Sequence, residues 1–166
     1  MQGYAEPDDE LVDAVMTASR ALLGVVVRSL AEVDEDVTLP QYRALVVLGQ
    51  RGSMRPAEVA TALAVTPPTS TRMCARLEAK GLVVRERPAG DRRAVAVSLS
   101  PAGRELIDDV SRRRRAELRT LLAAVPDARR AAVVEGLRAV AEASGEVGEL
   151  EWVVTAHSRT ATGADR

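Results

Sequence analysis

The spacing of apolar residues changes period within this 166-residue chain, and those changes dictate the order of its helices and strands. Up to Lys80-Gly81 the apolar positions recur at helical intervals. From Leu82 they alternate: Val95, Val97 and Leu99 fall on one side, with Ala94, Ala96 and Ser98 between them. A matching run, Leu82 to Arg87, lies across Pro88-Ala89-Gly90-Asp91. Two short alternating runs around a Pro/Gly/Asp turn predict a β-hairpin with a polar, arginine-tipped loop over residues 88–93. Helical spacing returns at Ser100-Pro101 and continues through roughly Ala124, and Pro126 opens a last helix through about Glu146.

Upstream of the hairpin, local signals divide the chain into four helices. Leu11, Val15, Leu22, Val26 and Leu30 sit near helical spacing behind Asp8, Asp9 and Glu10, which suit a positive helix N-terminus, so a long first helix is expected from Asp8 to about Glu35. Thr38-Leu39-Pro40-Gln41 has the Thr-x-x-Gln spacing of a capping box and starts a second helix, apolar through Leu48. Pro56 suits the first position of a short third helix to about Leu63, where its missing N–H costs nothing. Ala64-Val65 then turns tightly into Thr66, an N-cap for a fourth helix ending at Lys80-Gly81. Pro68 pushes the residue before it away from helical dihedrals, which predicts an irregular first turn. A helix-turn-helix followed by a hairpin is a winged helix. The fold expected is mainly α with a small β-hairpin wing: a winged helix-turn-helix region over 38–100, a helical dimerisation region from 8–36 and 101–146, and a C-terminal tail at 147–166.

Charge is distributed unevenly. Net charge is −1 overall, which alone argues against a nucleic-acid binder. Yet residues 1–42 hold 2 basic and 9 acidic side chains, residues 43–93 hold 10 and 4, and residues 94–166 hold 11 of each. A central block of net +6 is the footprint expected for a polyanion, although a solvated charged surface gives the same count. The near absence of aromatics (no Phe, 2 Tyr, 1 Trp) argues against stacking platforms for single strands. All basic residues but Lys80 are arginine, a skew that codon bias explains as well as phosphate recognition does.

On a helical wheel of residues 66–80, Ser70, Met73, Cys74 and Leu77 share one side, while Pro68, Thr71, Arg72, Ala75 and Ala79 face away, with Thr69 and Arg76 on the boundary. A face of small, hydroxyl and arginine side chains can enter the ~12 Å major groove, where Arg72 and Arg76 reach guanine edges or phosphates. Such a face is also ordinary on any amphipathic helix; the neighbouring hairpin favours the DNA reading. At the wing tip, Asp91-Arg92-Arg93 lets Asp91 steer the Arg93 guanidinium by a charge-assisted hydrogen bond, suiting it to a narrow minor groove. The candidate DNA-binding residues are therefore Thr66, Pro68, Thr69, Thr71, Arg72, Arg76, Asp91, Arg92 and Arg93. Asn is absent from the chain and Gln from residues 51–166, so base readout rests on Arg, Thr and apolar contacts.

The stretch from Arg55 to Arg104 resembles the MarR family of winged-helix transcriptional regulators. The resemblance is carried by Arg72-Met73-Cys74-Ala75-Arg76-Leu77-Glu78-Ala79-Lys80-Gly81-Leu82-Val83, by the Asp-x-Arg element at Asp91 and Arg93, and by the alternating valines leading to Leu99-Ser100-Pro101-Ala102-Gly103. It implies a homodimer built from the first and last two helices, bound to a pseudo-palindromic duplex with the 67–80 helix in the major groove and Arg93 in the minor groove. It also implies a repressor responsive to a small-molecule effector held between the dimer helices and the winged regions. Ser70, where the family usually has an apolar residue, and the Pro67-Pro68 pair depart from its pattern.

Other features read as structural. Cys74 invites comparison with the hydroperoxide-sensing branch of the family, but that branch places its thiol in the N-terminal helical region, and a small core residue is the better reading. Arg112 to Arg115 lie near Asp108, Asp109 and Glu117, which suits ion pairs along one helix. His157 has no second His beside it; with one Cys, neither a disulfide framework nor a Cys/His metal cluster can be assembled from a single chain. No phosphate loop, metal-binding His pair or Gly-x-Ser-x-Gly elbow occurs, so neither enzyme activity nor a cofactor is expected. The acidic N-terminus is unlike a secretory signal, and the longest apolar run, around Ala21 to Val27, falls short of a span, so a cytoplasmic protein without membrane contact is expected. The competing reading is a winged-helix protein–protein interaction module without specific DNA binding.

Overall fold

The structure, a computed structural model, describes residues 8–86 and 95–145. It contains α1 (Asp9–Ala31), α2 (Leu39–Arg51), α3 (Pro56–Leu63), α4 (Pro67–Ala79), β1 (Val83–Glu86), β2 (Ala96–Leu99), α5 (Pro101–Ala123) and α6 (Asp127–Ser144). The order is the one the sequence predicts, a winged helix-turn-helix between outer helices.

Local chemistry sets the boundaries. The Asp8 carboxylate caps α1 by accepting the Leu11 N–H at 2.8 Å. The helix stops at Ala31, short of the expected Glu35, because the Asp34 carboxylate takes the amides of Asp36 and Val37 at 2.9 and 3.2 Å and so offers the backbone a turn instead. In α2 the Gln41 side chain reaches back to the Thr38 N–H at 3.0 Å, and the helix continues to Arg51, where Gly52 adopts a φ of 80°. The Glu58 carboxylate accepts the Arg55 N–H at 2.6 Å ahead of α3. Ala64 closes α3 in the left-handed region (φ 54°), a conformation that costs about 1–2 kcal/mol without glycine.

The first turn of α4 is regular, contrary to the expectation from Pro68. Pro67 and Pro68 occupy the first two helical positions, where an N–H has no helical acceptor, and the Ser70 N–H bonds the Thr66 carbonyl at 3.1 Å. At the other end Gly81 (φ 72°) turns the chain so that the Leu82 N–H returns to the Leu77 carbonyl at 3.0 Å.

The hairpin is antiparallel, pairing Val83 with Leu99, Val84 with Ser98, Arg85 with Val97 and Glu86 with Ala96. Met54 bridges the other edge of β2 through two bonds with Val97, at 3.0 and 2.7 Å. Val97 and Leu99 are buried as the alternation predicts, and Val95 is half-buried. Ala96, expected on the outer face, is buried too: β2 is flanked on both edges, and a methyl side chain there is readily covered.

Ser100 locks the hairpin to α5. Its hydroxyl donates to the Gly81 carbonyl at 2.6 Å and accepts the Gly103 N–H at 3.0 Å. Gly103 lies so close to the β1 corner that a Cβ there would come within 2.1 Å of the Leu82 carbonyl oxygen. That contact gives the Leu-Ser-x-x-Gly turn its physical reason: only a residue without a side chain fits.

The core runs from Leu30 and Val37 through Leu45, Leu48, Val59, Cys74, Leu77, Val83 and Val97 to Ile107 and Val110. Of the outer helices, α5 and the end of α1 join this core, whereas α6 and the rest of α1 mostly do not. No described residue of α6 is buried, and α1 exposes Leu11, Val12, Val15, Met16, Leu23 and Val27. Charged side chains tie α1 to α5: Arg28 pairs with Glu117, and Arg113 with Glu32 at 2.7 Å. This corrects the expected pairing of Arg113 with Glu117 along α5, since both reach across to α1, while the Arg112–Asp109 pair stays within the helix. Among the described residues, no helix is long and apolar enough to cross a membrane, and no group of His, Cys, Asp and Glu could hold a metal ion.

Candidate nucleic-acid interface

The predicted wheel of α4 is reproduced. Ser70, Cys74 and Leu77 are wholly buried and Met73 nearly so, while Pro68, Thr71, Arg72, Ala75 and Arg76 are exposed and Thr69 is half-buried. The polar member of the inward set is satisfied: the Ser70 hydroxyl donates to the Pro56 carbonyl at 2.7 Å, pinning α4 to the first turn of α3. A hydroxyl at a position that is usually apolar is thus an inter-helix tie inside the helix-turn-helix.

On the outward face the hydroxyls are already engaged. Thr71 donates to the Pro67 carbonyl at 3.0 Å, and the Thr66 and Thr69 hydroxyls bond each other at 2.9 Å. The Arg72 and Arg76 guanidinium groups, by contrast, form no ion pair or hydrogen bond among the described residues. Other nearby cations are held internally: Arg85 pairs with Glu78 at 2.6 Å, fastening β1 to α4, and the Lys80 ammonium donates to the Asp36 carbonyl. Within the basic block, two guanidinium groups on one helix face are therefore left available to an outside acceptor.

The α2 N-terminus is the neighbour that sequence reasoning missed. Thr38, Pro40 and Gln41 line a shallow groove of about 340 Å³ together with Thr69, Arg72, Met73 and Arg76. The positive end of the α2 dipole thus adjoins both arginines. The capping box announced that a helix starts at Thr38, but nothing along the chain announced which helix it would lie beside.

Asp91, Arg92 and Arg93 lie outside the described residues, as do His157 and the rest of the 147–166 tail. Cys74 is fully buried, and burial pushes its thiol above the ordinary value, only partly countered by the Ser70 hydroxyl and the Arg85 charge. A thiol so placed carries little thiolate near neutral pH, in keeping with a core role.

Residues 35–94 match the MarR family model. The chain is 36% identical to an uncharacterised HTH-type transcriptional regulator, Mb0904 of Mycobacterium bovis, over 66% of this chain and 73% of that one. The chain belongs to the MarR family. It is also 31% identical to the HTH-type transcriptional repressor MdtR of Bacillus subtilis, over 65% of this chain and 71% of that one. The crystal structure of RV1404 from Mycobacterium tuberculosis superposes with a TM-score of 0.82 at 36% identity, covering 88% of this chain and 99% of that one. With two other curated relatives, the match spans only about half of their length, 54% and 50%. In this MarR-family chain the Ser100–Gly103 turn and the inward set of α4 are the parts that hold the wing and the fourth helix to one core.

Proposed function

We propose that the chain is a homodimeric, sequence-specific double-stranded DNA-binding regulator of transcription, acting in the cytoplasm as a repressor that occludes a promoter. The observation that carries this reading is the pair of unengaged arginines, Arg72 and Arg76, on a helix face free of bulky side chains within the net +6 block. In this reading α4 enters the major groove, with Thr66, Pro68, Thr69 and Thr71 at the rim of the contact, and Asp91, Arg92 and Arg93 serve an adjacent minor groove. The exposed apolar residues of α1 and α6 support association of two copies, the 8–36 and 101–146 segments forming the dimer region around two 38–100 winged regions. Two-fold protein symmetry then demands a pseudo-palindromic site with recognition helices about 34 Å apart, or a multiple of that.

A small-molecule effector would act by favouring a spacing that does not match the DNA, with a coupling of about 1–3 kcal/mol, or roughly 5- to 150-fold in affinity. The expected effector site lies between the dimer helices and the winged regions; a cleft of about 370 Å³ between the segment after α1 and α5, lined by Glu32, Val33, Asp109, Arg112 and Arg113, is an alternative place within the dimer region itself. Its arginines already hold Glu32 and Asp109, so a ligand there has to displace an ion pair.

The test is selection of bound duplexes from a random pool, followed by titrations at several salt concentrations. Wild type is expected to show salt-steep binding to a two-fold site. Arg72→Ala and Arg93→Ala are each expected to lower the salt slope by about one unit where the contact is to phosphate, or to weaken binding by about 1–3 kcal/mol and relax one site position where it is to a base. Unchanged titrations for both variants reject their roles. Salt-insensitive association with a protein, and no preferred duplex, would favour the interaction-module reading.

A further inference from the structure

We propose that Thr71 is a specificity-determining residue that recognises thymine through its methyl group and not through its hydroxyl; this rests on the DNA-binding reading above. Three observations lead there. The Thr71 hydroxyl donates its proton to the Pro67 carbonyl at 3.0 Å, which fixes the side chain and leaves the methyl as its unengaged group. Thr71 is exposed, and its neighbours at helical spacing on the same face are Pro68, three residues before, and Ala75, four after; both are exposed and neither carries a polar side-chain atom. The helix start beside it is also poor in donors. Of the four amide positions that a helix leaves unpaired at its N-terminus, here Thr66 to Thr69, Pro67 and Pro68 have no N–H at all. A phosphate is therefore weakly served at this end of α4, and an apolar group of the base edges is better matched to it.

The rest of the chain makes that contact informative. With no Asn anywhere and no Gln beyond residue 50, neither α4 nor residues 87–94 can pair bidentately with adenine. In the major groove the adenine N7 and thymine O4 acceptors can meet an arginine much as guanine's acceptors do, so the A·T feature that an arginine does not read, and that has a complement on this edge of α4, is the thymine 5-methyl. The arginines sit on the other edge of the same face, along the groove shared with Thr38 and Pro40. The recognition helix thus divides into a guanidinium edge and a methyl-reading edge, with Thr71 on the latter.

The experiment uses the full chain and the duplex it selects, with each thymine of one half-site replaced in turn by deoxyuridine, which lacks only the 5-methyl. Wild type is expected to lose about four-fold in affinity at one position, equivalent to the ~0.8 kcal/mol of a buried methyl group. Thr71→Ser keeps the hydroxyl and loses the methyl, so it should bind thymine and deoxyuridine duplexes equally at that position. Thr71→Val keeps the methyl and loses the hydroxyl, so it should retain the four-fold difference. The inference is overturned if no replacement costs more than two-fold, if serine preserves the discrimination, or if valine abolishes it. A preferred duplex indifferent to deoxyuridine removes this inference alone, whereas failure to recover any preferred duplex removes the DNA-binding reading and this one with it.

Discussion

Between α2 and β2, apolar side chains turn inward: Leu45, Leu48, Val59, Leu77, Val83 and Val97 are each 2% exposed or less, and the outward face of α4 carries arginine, threonine, proline and alanine. In α6 the same residue types turn outward, with Val134, Leu137 and Val140 about half exposed and no described residue buried. The two regions are folded by the same driving force but leave different remainders. The winged segment completes its core within one chain, and what is left over is cationic. Among the described residues, α1 and α6 leave apolar side chains exposed, the remainder that the proposed dimer would cover.

The sharpest way to break that contrast is to charge the apolar remainder. Val134→Glu with Leu137→Glu should convert a dimer to a monomer by analytical ultracentrifugation and lower affinity for a two-fold site by more than 100-fold, on the order of 3 kcal/mol. Each half-site then binds without the other. Since these residues are exposed in one chain, the winged core should keep its helical signal. An unchanged mass and unchanged affinity would mean that the outer helices serve another purpose.

A second substitution probes the seam between the regions. Gly103 places the start of α5 against the Leu82 carbonyl, with a would-be Cβ at 2.1 Å from that oxygen and 3.3 Å from the Leu99 side chain. The nearest obstacle is backbone, which cannot rotate away as a side chain can. Gly103→Ala should therefore cost about 3 kcal/mol in urea unfolding, at the upper end of overpacking penalties. A loss below about 1 kcal/mol would show that α5 can lift off the hairpin freely, and that the two regions are only loosely joined.

The contrast also explains which parts were readable in advance. The inward set of α4 was legible because burial there follows helical period alone: Ser70, Met73, Cys74 and Leu77 are spaced to share one side, whatever lies beneath. The hairpin was legible from its change of period. Partners across space were not. Glu117 stands four residues from Arg113 along α5, yet it pairs with Arg28 and leaves Arg113 to Glu32, because α1 packs alongside and sequence spacing carries no information about that. The α2 N-terminus beside Arg72 and Arg76 escaped for the same reason. The end of α1 is set by a competition that helical spacing does not carry, since the Asp34 side chain takes two amides that a further helical turn would otherwise use. In the first turn of α4, Pro67 is helical despite the steric restriction on a residue before proline; the two missing amides cost no helical hydrogen bond there, and propensity at one residue yields to the helix that follows.

The smallest effect sharpens the comparison from inside the winged segment. Ser70 is a hydroxyl in an otherwise apolar inward set, donating at 2.7 Å to a carbonyl on the first turn of α3. An α-helix already brings one amide to that carbonyl, so removing the hydroxyl leaves an oxygen with one partner instead of none. Ser70→Ala should accordingly cost about 1 kcal/mol in chemical denaturation, the net worth of one such bond, and not the larger penalty of an orphaned group. Ser70→Val restores apolar volume but keeps the bond broken. If packing governs the site, valine should recover most of the loss, with operator affinity unchanged. If the hydroxyl instead sets the angle between α3 and α4, valine should recover stability while affinity for the selected duplex stays reduced, since α4 would then approach the groove from the wrong direction.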